Sequence, residues 1–246
     1  MKQSVFACFL AVLLYASCTS SAPSSTEQPL AYNEAVTMPG DSAVYGLACE
    51  GCTDSLLIFL PFSGGDPDTI DILNARIQRR VFGRPSIGDQ LAILLNATNK
   101  SVADMVVNID VLEGTWCYMV TPKLRPRAGM SPDSVVQLPP NLPDSLRKKW
   151  FEPREYSLDI RNDFTARTIG VRRTTEMQQG PTVYPELKRY REWHLFNGRL
   201  LLSETRRDSL GETHVISTDT ADIRLLRPDT LVLSIAGTEQ GYYRKK

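Results

Sequence analysis

Leu195-Phe196-Asn197-Gly198-Arg199-Leu200-Leu201 decides how the C-terminal half of this 246-residue chain is read. An Asn-Gly pair between apolar runs is a strong short-range signal for a tight β-hairpin, because both residues tolerate the positive φ that such turns need. Further turn signals stand at Asp208 to Gly211, Pro228-Asp229 and Gly237, and apolar residues alternate between them, as in Leu231, Leu233 and Ile235. The pattern predicts strands at 112–120, 155–160, 164–173, 189–196, 199–206, 212–218, 221–226, 229–235 and 239–244. Eight or nine antiparallel strands on short turns predict an up-and-down barrel over 110–246, a form that closes its own edges and can enclose a cavity. Residues 121–148 interrupt it with six of the 16 prolines and are expected to form a long loop or lid.

Upstream, residues 41–109 read as a smaller β module. Strands are expected at 43–48, 56–62, 69–82, 89–95 and 103–109, separated by Gly64-Gly65-Asp66-Pro67, Gly83-Arg84-Pro85 and Asn96 to Ser101. Five short strands, one of them long, fit a small OB-like Greek-key barrel. The expected fold class is therefore all-β, with an OB-like barrel followed by a larger antiparallel barrel.

Gly114-Thr115-Trp116 on the opening strand of the larger module resembles the Gly-x-Trp start of lipocalin-like barrels. Arg244, in Tyr242-Tyr243-Arg244, stands where that superfamily places a basic residue over the Trp. The resemblance implies a guanidinium packed on the indole face, sealing one barrel end.

The first residues carry an address. Lys2 precedes an uncharged apolar stretch from Val5 to Tyr15, followed by small residues and Cys18, the layout of a secretory signal over 1–17. The apolar run is shorter than the roughly 20 residues a spanning helix needs. Leu14-Tyr15-Ala16-Ser17-Cys18 resembles the lipobox of bacterial lipoproteins, with Tyr15 in place of the usual Leu; the resemblance implies cleavage before Cys18 and its acylation. The expected partner is then a lipid bilayer, gripped through acyl chains whose buried CH₂ groups contribute about 0.8 kcal/mol each. Ser, Thr, Pro and Ala dominate 18–40, so that segment is expected to be a flexible tether. Without an acidic run after Cys18, the outer-membrane anchor is expected to face the periplasm.

Cys49-Glu50-Gly51-Cys52 has three readings in an oxidising compartment: a local disulfide, a redox pair, or a soft-metal site. The disulfide leads, because no convincing helix follows Cys52 to depress a thiolate and no second Cys pair completes a zinc set. Cys117 is expected to be a buried thiol. Tyr45-Gly46-Leu47-Ala48-Cys49-Glu50-Gly51-Cys52 is distantly similar to a segment of NlpE-type lipoproteins, which combine lipocalin-like and OB-like domains and are linked to copper handling, adhesion and envelope-stress sensing. Ala48 stands where that family has Pro, and the order of the two modules is reversed.

Gly40-Asp41-Ser42 with Gly46 matches a GDSL-hydrolase block, yet Arg191 precedes His194 by three places and Gly211 precedes His214, so no Asp-x-x-His base accompanies the serine. Asp66/Asp68 and Glu152/Glu155 are acid–base candidates by composition, but lie among Pro and Gly in loop-like stretches. Phosphate-loop, dinucleotide and HExxH patterns do not occur. With only 2 His in the chain, His194 is expected to face solvent or line the barrel rather than bind metal. No cofactor is called for.

The chain has 28 basic and 28 acidic residues, which removes the basic excess typical of nucleic-acid binding. The balance is uneven: residues 19–109 carry 5 Lys+Arg against 10 Asp+Glu, and 110–246 carry 22 against 18. Arg147, Lys148, Lys149, Arg172, Arg173, Lys188, Arg189 and Arg191 supply much of that excess; they read as solvated surface or as a basic rim near a barrel mouth. The expectation is a non-enzymatic, lipid-anchored envelope protein that binds a small hydrophobic or amphiphilic ligand, or an envelope protein partner. Trp150, Tyr156, Phe164, Trp193 and Phe196 are candidates to line its cavity. The alternative is an envelope-stress or copper sensor acting through Cys49 and Cys52.

Overall fold

In the computed structural model, residues 38–125, 138, 140–170 and 180–246 are described. The leader with Cys18, most of the tether, part of the proline-rich segment, and Arg172 and Arg173 lie outside them.

The first module contains β1 (Val44–Ala48), β2 (Leu56–Pro61), β3 (Asp68–Asp71), α1 (Leu73–Ile77), β4 (Val81–Phe82), β5 (Gln90–Leu95) and β6 (Ala103–Asn108). Its sheet runs β3-β2-β1-β5-β6-β4, and a parallel bridge from Asp71 to Val102 joins β3 to the start of β6. A three-strand meander whose first strand also pairs with the next long strand, and whose third strand meets the last in parallel, is the OB-like Greek key, with α1 after β3. Leu57, Phe59, Ile70, Leu91, Ile93 and Val106 form its dry centre.

The strand expected over 69–82 is three elements. Ile70 and Ile72 are buried two apart, as a strand requires, but the next buried residue, Ala75, follows at helical spacing, while Leu73 and Ile77 are exposed. The Asp71 carboxylate accepts the Leu73 amide and starts the turn. Likewise Ile109, expected to end a strand, begins α2 (Ile109–Leu112), which Asn108 caps by accepting the Val111 amide.

The second module is an eight-stranded antiparallel barrel: β7 (Gly114–Val120), β9 (Arg154–Ile160), β10 (Ala166–Ile169), β12 (Glu192–Phe196), β13 (Arg199–Arg207), β14 (Thr213–Leu226), β15 (Thr230–Ile235) and β16 (Thr238–Arg244). Neighbours run β10-β9-β7-β16-β15-β14-β13-β12, and a bridge from Thr165 to Glu192 brings the two ends of that order together. The separate strands expected at 212–218 and 221–226 are one 14-residue strand, β14, so the barrel has eight strands and not nine. A bulge between Ile223 and Leu225 bends it enough to follow the curved wall. Within 121–148, Lys123–Leu124 (β8) pairs with Thr182–Val183 (β11), and Asp144–Trp150 is helical (α3), which the proline count concealed.

The two modules share apolar packing. Tyr45, Phe82, Ala92, Val107 and Ile109 belong to one buried cluster with Trp116, Leu158, Trp193, Leu202 and Leu231 of the barrel. The Gly83 amide donates to the Leu226 carbonyl across the junction.

Candidate functional site

Strand directions give the barrel two ends. β7 enters beside the OB-like sheet, and the 161–165, Asn197-Gly198 and 227–229 turns lie at that same end; residues 121–125, 140–153 and 180–190 and the 208–212 turn lie at the other.

The near end is plugged. Arg244 pairs in register with Trp116, its guanidinium carbon 4.3 Å from the indole centroid. Its nitrogens donate to the carbonyls of Val111, Glu113 and Pro228, and the Trp116 indole N–H donates to Leu112 O at 2.7 Å. Gly114 has φ +130°, and a Cβ there would stand 2.3 Å from Arg244 Nη1, so the glycine leaves room for the guanidinium.

Two residues further along the same inward parity come Tyr118, opposite Tyr156 on β9, and Tyr242 on β16. The three rings meet edge to face, Tyr118 lying 5.8 Å from Tyr156 and 5.0 Å from Tyr242 between centroids. Tyr190, just before β12, completes the group and donates to Asp219 Oδ2 at 2.5 Å, while Lys188 Nζ reaches the same carboxylate at 2.6 Å. Burial alone would raise the Asp219 carboxyl; the hydrogen bonds from Lys188 and Tyr190 and the Lys188 charge outweigh it and hold the group below its ordinary value. Burial pushes the phenols of Tyr118, Tyr190 and Tyr242 upward, so all three are neutral near pH 7. The hydroxyls of Tyr118 and Tyr242 have no hydrogen-bond partner among the described residues.

Over this end lies a cap. The Tyr156 hydroxyl donates to Pro185 O at 3.1 Å, Thr168 to Lys188 O at 2.7 Å, Thr182 to Trp150 O at 3.0 Å, and Tyr184 to Glu152 O at 2.6 Å. The 180–190 segment and α3 are thereby tied to each other and to β9 and β10.

The five aromatic candidates are not one lining. Tyr156 belongs to the tyrosine group, and Trp150 ends α3 in the cap. Phe164 and Trp193 pack together at 5.5 Å, Trp193 fully buried with its N–H on Arg161 O. Phe196, half-buried, sits by the near-end hairpin, where a Cβ on Gly40 would touch it. Inward parity on β12 belongs to Trp193 and Leu195, so His194 faces outward, stacked on Phe164 at 5.7 Å with a buried, unpartnered Nδ1. Burial lowers its pKa.

Cys49, Cys52 and Cys117 are free thiols, so the expected local disulfide is not formed. Cys52 Sγ instead donates to Cys49 O at 3.0 Å, closing the turn between β1 and β2 by a hydrogen bond. The hydrolase-like serine serves the junction between the modules. Ser42 Oγ donates to Asn197 Oδ1 at 2.6 Å, and Asp41 accepts the Asn197 amide and the Tyr45 hydroxyl. Of the carboxylate candidates, Glu155 is engaged by Tyr243 and Lys245, and Asp66 and Asp68 are exposed. An exposed Asp208, Glu212 and His214 group lies at the β13–β14 turn, where Asp208 accepts the amides of Leu210 and Glu212. Among the described residues no helix is long and apolar enough to cross a membrane.

Sequence reasoning missed Tyr118, Tyr190, Tyr242 and Asp219. Trp116-x-Tyr118 and Tyr242-x-Arg244 share one strand parity, a signal that would have found two of them. No protein-family model, curated protein or solved structure matches the chain.

Proposed function

We propose that the chain is a non-enzymatic lipoprotein of a Gram-negative cell envelope, anchored through acylated Cys18 to the outer membrane, whose barrel takes up a small amphiphilic ligand at its tyrosine-lined end. The observation that carries this reading is the pair of phenols, Tyr118 and Tyr242, that face the barrel interior without a hydrogen-bond partner among the described residues. Aromatic faces accept an apolar body while hydroxyl groups fix a polar head, which is how amphiphile sites are commonly lined. The plug of Trp116 and Arg244 closes the other end and leaves the capped end as the entry. The signal-like leader, Cys18 and the Ser/Thr-rich tether support the anchor.

A second reading, an envelope-stress or copper sensor, is favoured by one observation: Cys49 and Cys52 are free thiols within one turn.

Native mass spectrometry of the full chain released from membranes in mild detergent tests the first reading. A diacylglyceryl-type mass on Cys18, and retention or uptake of one fatty acid or lyso-lipid per chain, are expected. An unmodified Cys18, or a chain that neither retains nor takes up an amphiphile, contradicts it. Copper retained by wild type and lost in Cys49→Ser would instead favour the sensor.

A further inference from the structure

A cleft of about 490 Å³ opens where the OB-like sheet meets the barrel, and none of its lining residues belongs to the tyrosine group. Arg79 and Arg80 stand on one wall, and Arg199, Arg224 and Asp222 on the other. Four guanidinium groups line the cleft with one carboxylate, Asp222, and Glu239 stands 3.9 Å from Arg224 Nε just outside the lining, which leaves a formal charge of +2. The floor is apolar, with Phe82 and Ile223 both buried.

Asp222 does not neutralise this concentration of charge. It accepts from Arg199 Nε at 2.6 Å and Arg224 Nη2 at 3.4 Å, which fixes two of the arginines on one wall. Arg79 and Arg80 have no carboxylate partner among the described residues.

Arg79 also occupies an unusual backbone position. Its φ is +58°, and the amides of Arg79 and Arg80 return to the carbonyls of Arg76 and Ala75. That is the left-handed closure of a helix C-terminus, a place where glycine is usual because it has no Cβ to clash. An arginine occupies that position and lines a cleft that three more arginines also line. The opposite wall is closely packed: in the Asn197-Gly198 turn both residues have positive φ, and a Cβ on Gly198 would stand 2.2 Å from Met105 Sδ.

We propose that this cleft binds a phosphate group. A carboxylate offers two oxygens and one charge, whereas a phosphate offers more oxygens and up to two charges, enough to be shared among guanidinium groups approaching from both walls. The apolar floor accepts an organic substituent on that phosphate. The site is independent of the amphiphile reading, since it uses neither the tyrosines nor the cap.

The test is titration of the full chain with pyrophosphate at low and physiological salt, comparing wild type with an Arg79→Gly/Arg80→Gln variant and with Lys148→Gln/Lys149→Gln on α3, which removes the same charge elsewhere. Saturable, salt-sensitive binding is expected, weakened about tenfold or more in the first variant and less than twofold in the second. Arg79→Gly alone should melt no lower than wild type, because glycine relieves the left-handed strain. Vesicles of phosphatidylglycerol or phosphatidylcholine, offered to the same variants on a Cys18→Ser background, identify the source. Loss of phosphatidylglycerol binding assigns a lipid headgroup, and loss of pyrophosphate binding alone assigns a soluble phosphate. Absence of pyrophosphate binding, or equal weakening in both variants, overturns the proposal.

Discussion

The Arg244 guanidinium stacks on the Trp116 indole across the seam between the last strand of the barrel and its first. Through this pair the end of the chain reaches back to the carbonyls of α2 and Glu113, the link between the two modules. The same contact closes the barrel, plugs its near end and ties it to the OB-like sheet.

Removing that guanidinium leaves three backbone carbonyls without their donor and uncovers the indole. Arg244→Ala is expected to cost about 3 kcal/mol in chemical denaturation, and Arg244→Lys roughly half as much, because a single ammonium cannot serve three divergent acceptors. Gly114→Ala should cost at least ~2 kcal/mol, since its Cβ collides with Arg244 and its φ of +130° disfavours a side chain. A near-neutral Arg244→Ala would show that the plug is ornamental.

Asp41 docks the barrel hairpin on the OB-like sheet by accepting from Tyr45 Oη at 2.6 Å, Asn197 N at 2.9 Å and Ala43 N at 3.0 Å. Asp41→Ala is expected to lose about 2 kcal/mol. Because the modules share buried residues, wild type should unfold in one cooperative transition by both tryptophan fluorescence and far-UV circular dichroism. Two separated transitions in wild type would contradict that coupling.

Burial, reinforced by the Asp110 and Asp163 charges, pushes the Glu113 carboxyl up from 4.5 to about 7. A carboxyl with a raised native pKa holds its proton more tightly when folded, so its contribution to stability is present at acid pH and is lost as pH rises from 4.5 through about 7. Glu113→Gln should therefore be more stable than wild type at pH 8 by about 1 kcal/mol, the half-buried carboxylate being partly solvated, and should differ little at pH 4. Equal stability differences at both pH values would refute this assignment.

His194 works with the opposite sign. Its buried, unpartnered Nδ1 and lowered pKa mean that the unfolded chain takes up a proton first, so stability falls as pH drops below the ordinary value of 6.5. His194→Phe should flatten the stability profile between pH 7 and 5, measured by urea midpoints. An unchanged profile would place the titration elsewhere.

What the chain displays locally was legible. Asn197-Gly198 reads as a hairpin, and the structure gives both residues the positive φ such a turn needs, +50° and +72°. Elsewhere the pattern misled for a physical reason. In 69–82 a two-residue alternation runs directly into a three-residue spacing, so Ile72 serves both periods and hides the break. In β14 the polar run Ser217-Thr218-Asp219-Thr220 looks like a turn, yet Asp219 is taken up by Lys188 and Tyr190 and the strand continues. The tyrosine group was out of reach because its members come from distant points in the chain and meet only once the barrel closes. Arg79 and Arg80 meet Arg199 and Arg224 for the same reason, through docking of the two modules.

Affinity for a fluorescent fatty acid, measured on the full chain and on a Tyr118→Phe/Tyr242→Phe variant, tests the amphiphile site most directly. Neither hydroxyl has a partner among the described residues, so the variant should fold and melt like wild type. Loss of two hydrogen bonds to the ligand should weaken binding by roughly 10- to 100-fold. Unchanged affinity in the variant, or no saturable binding by wild type, would contradict an amphiphile site at the tyrosine-lined end.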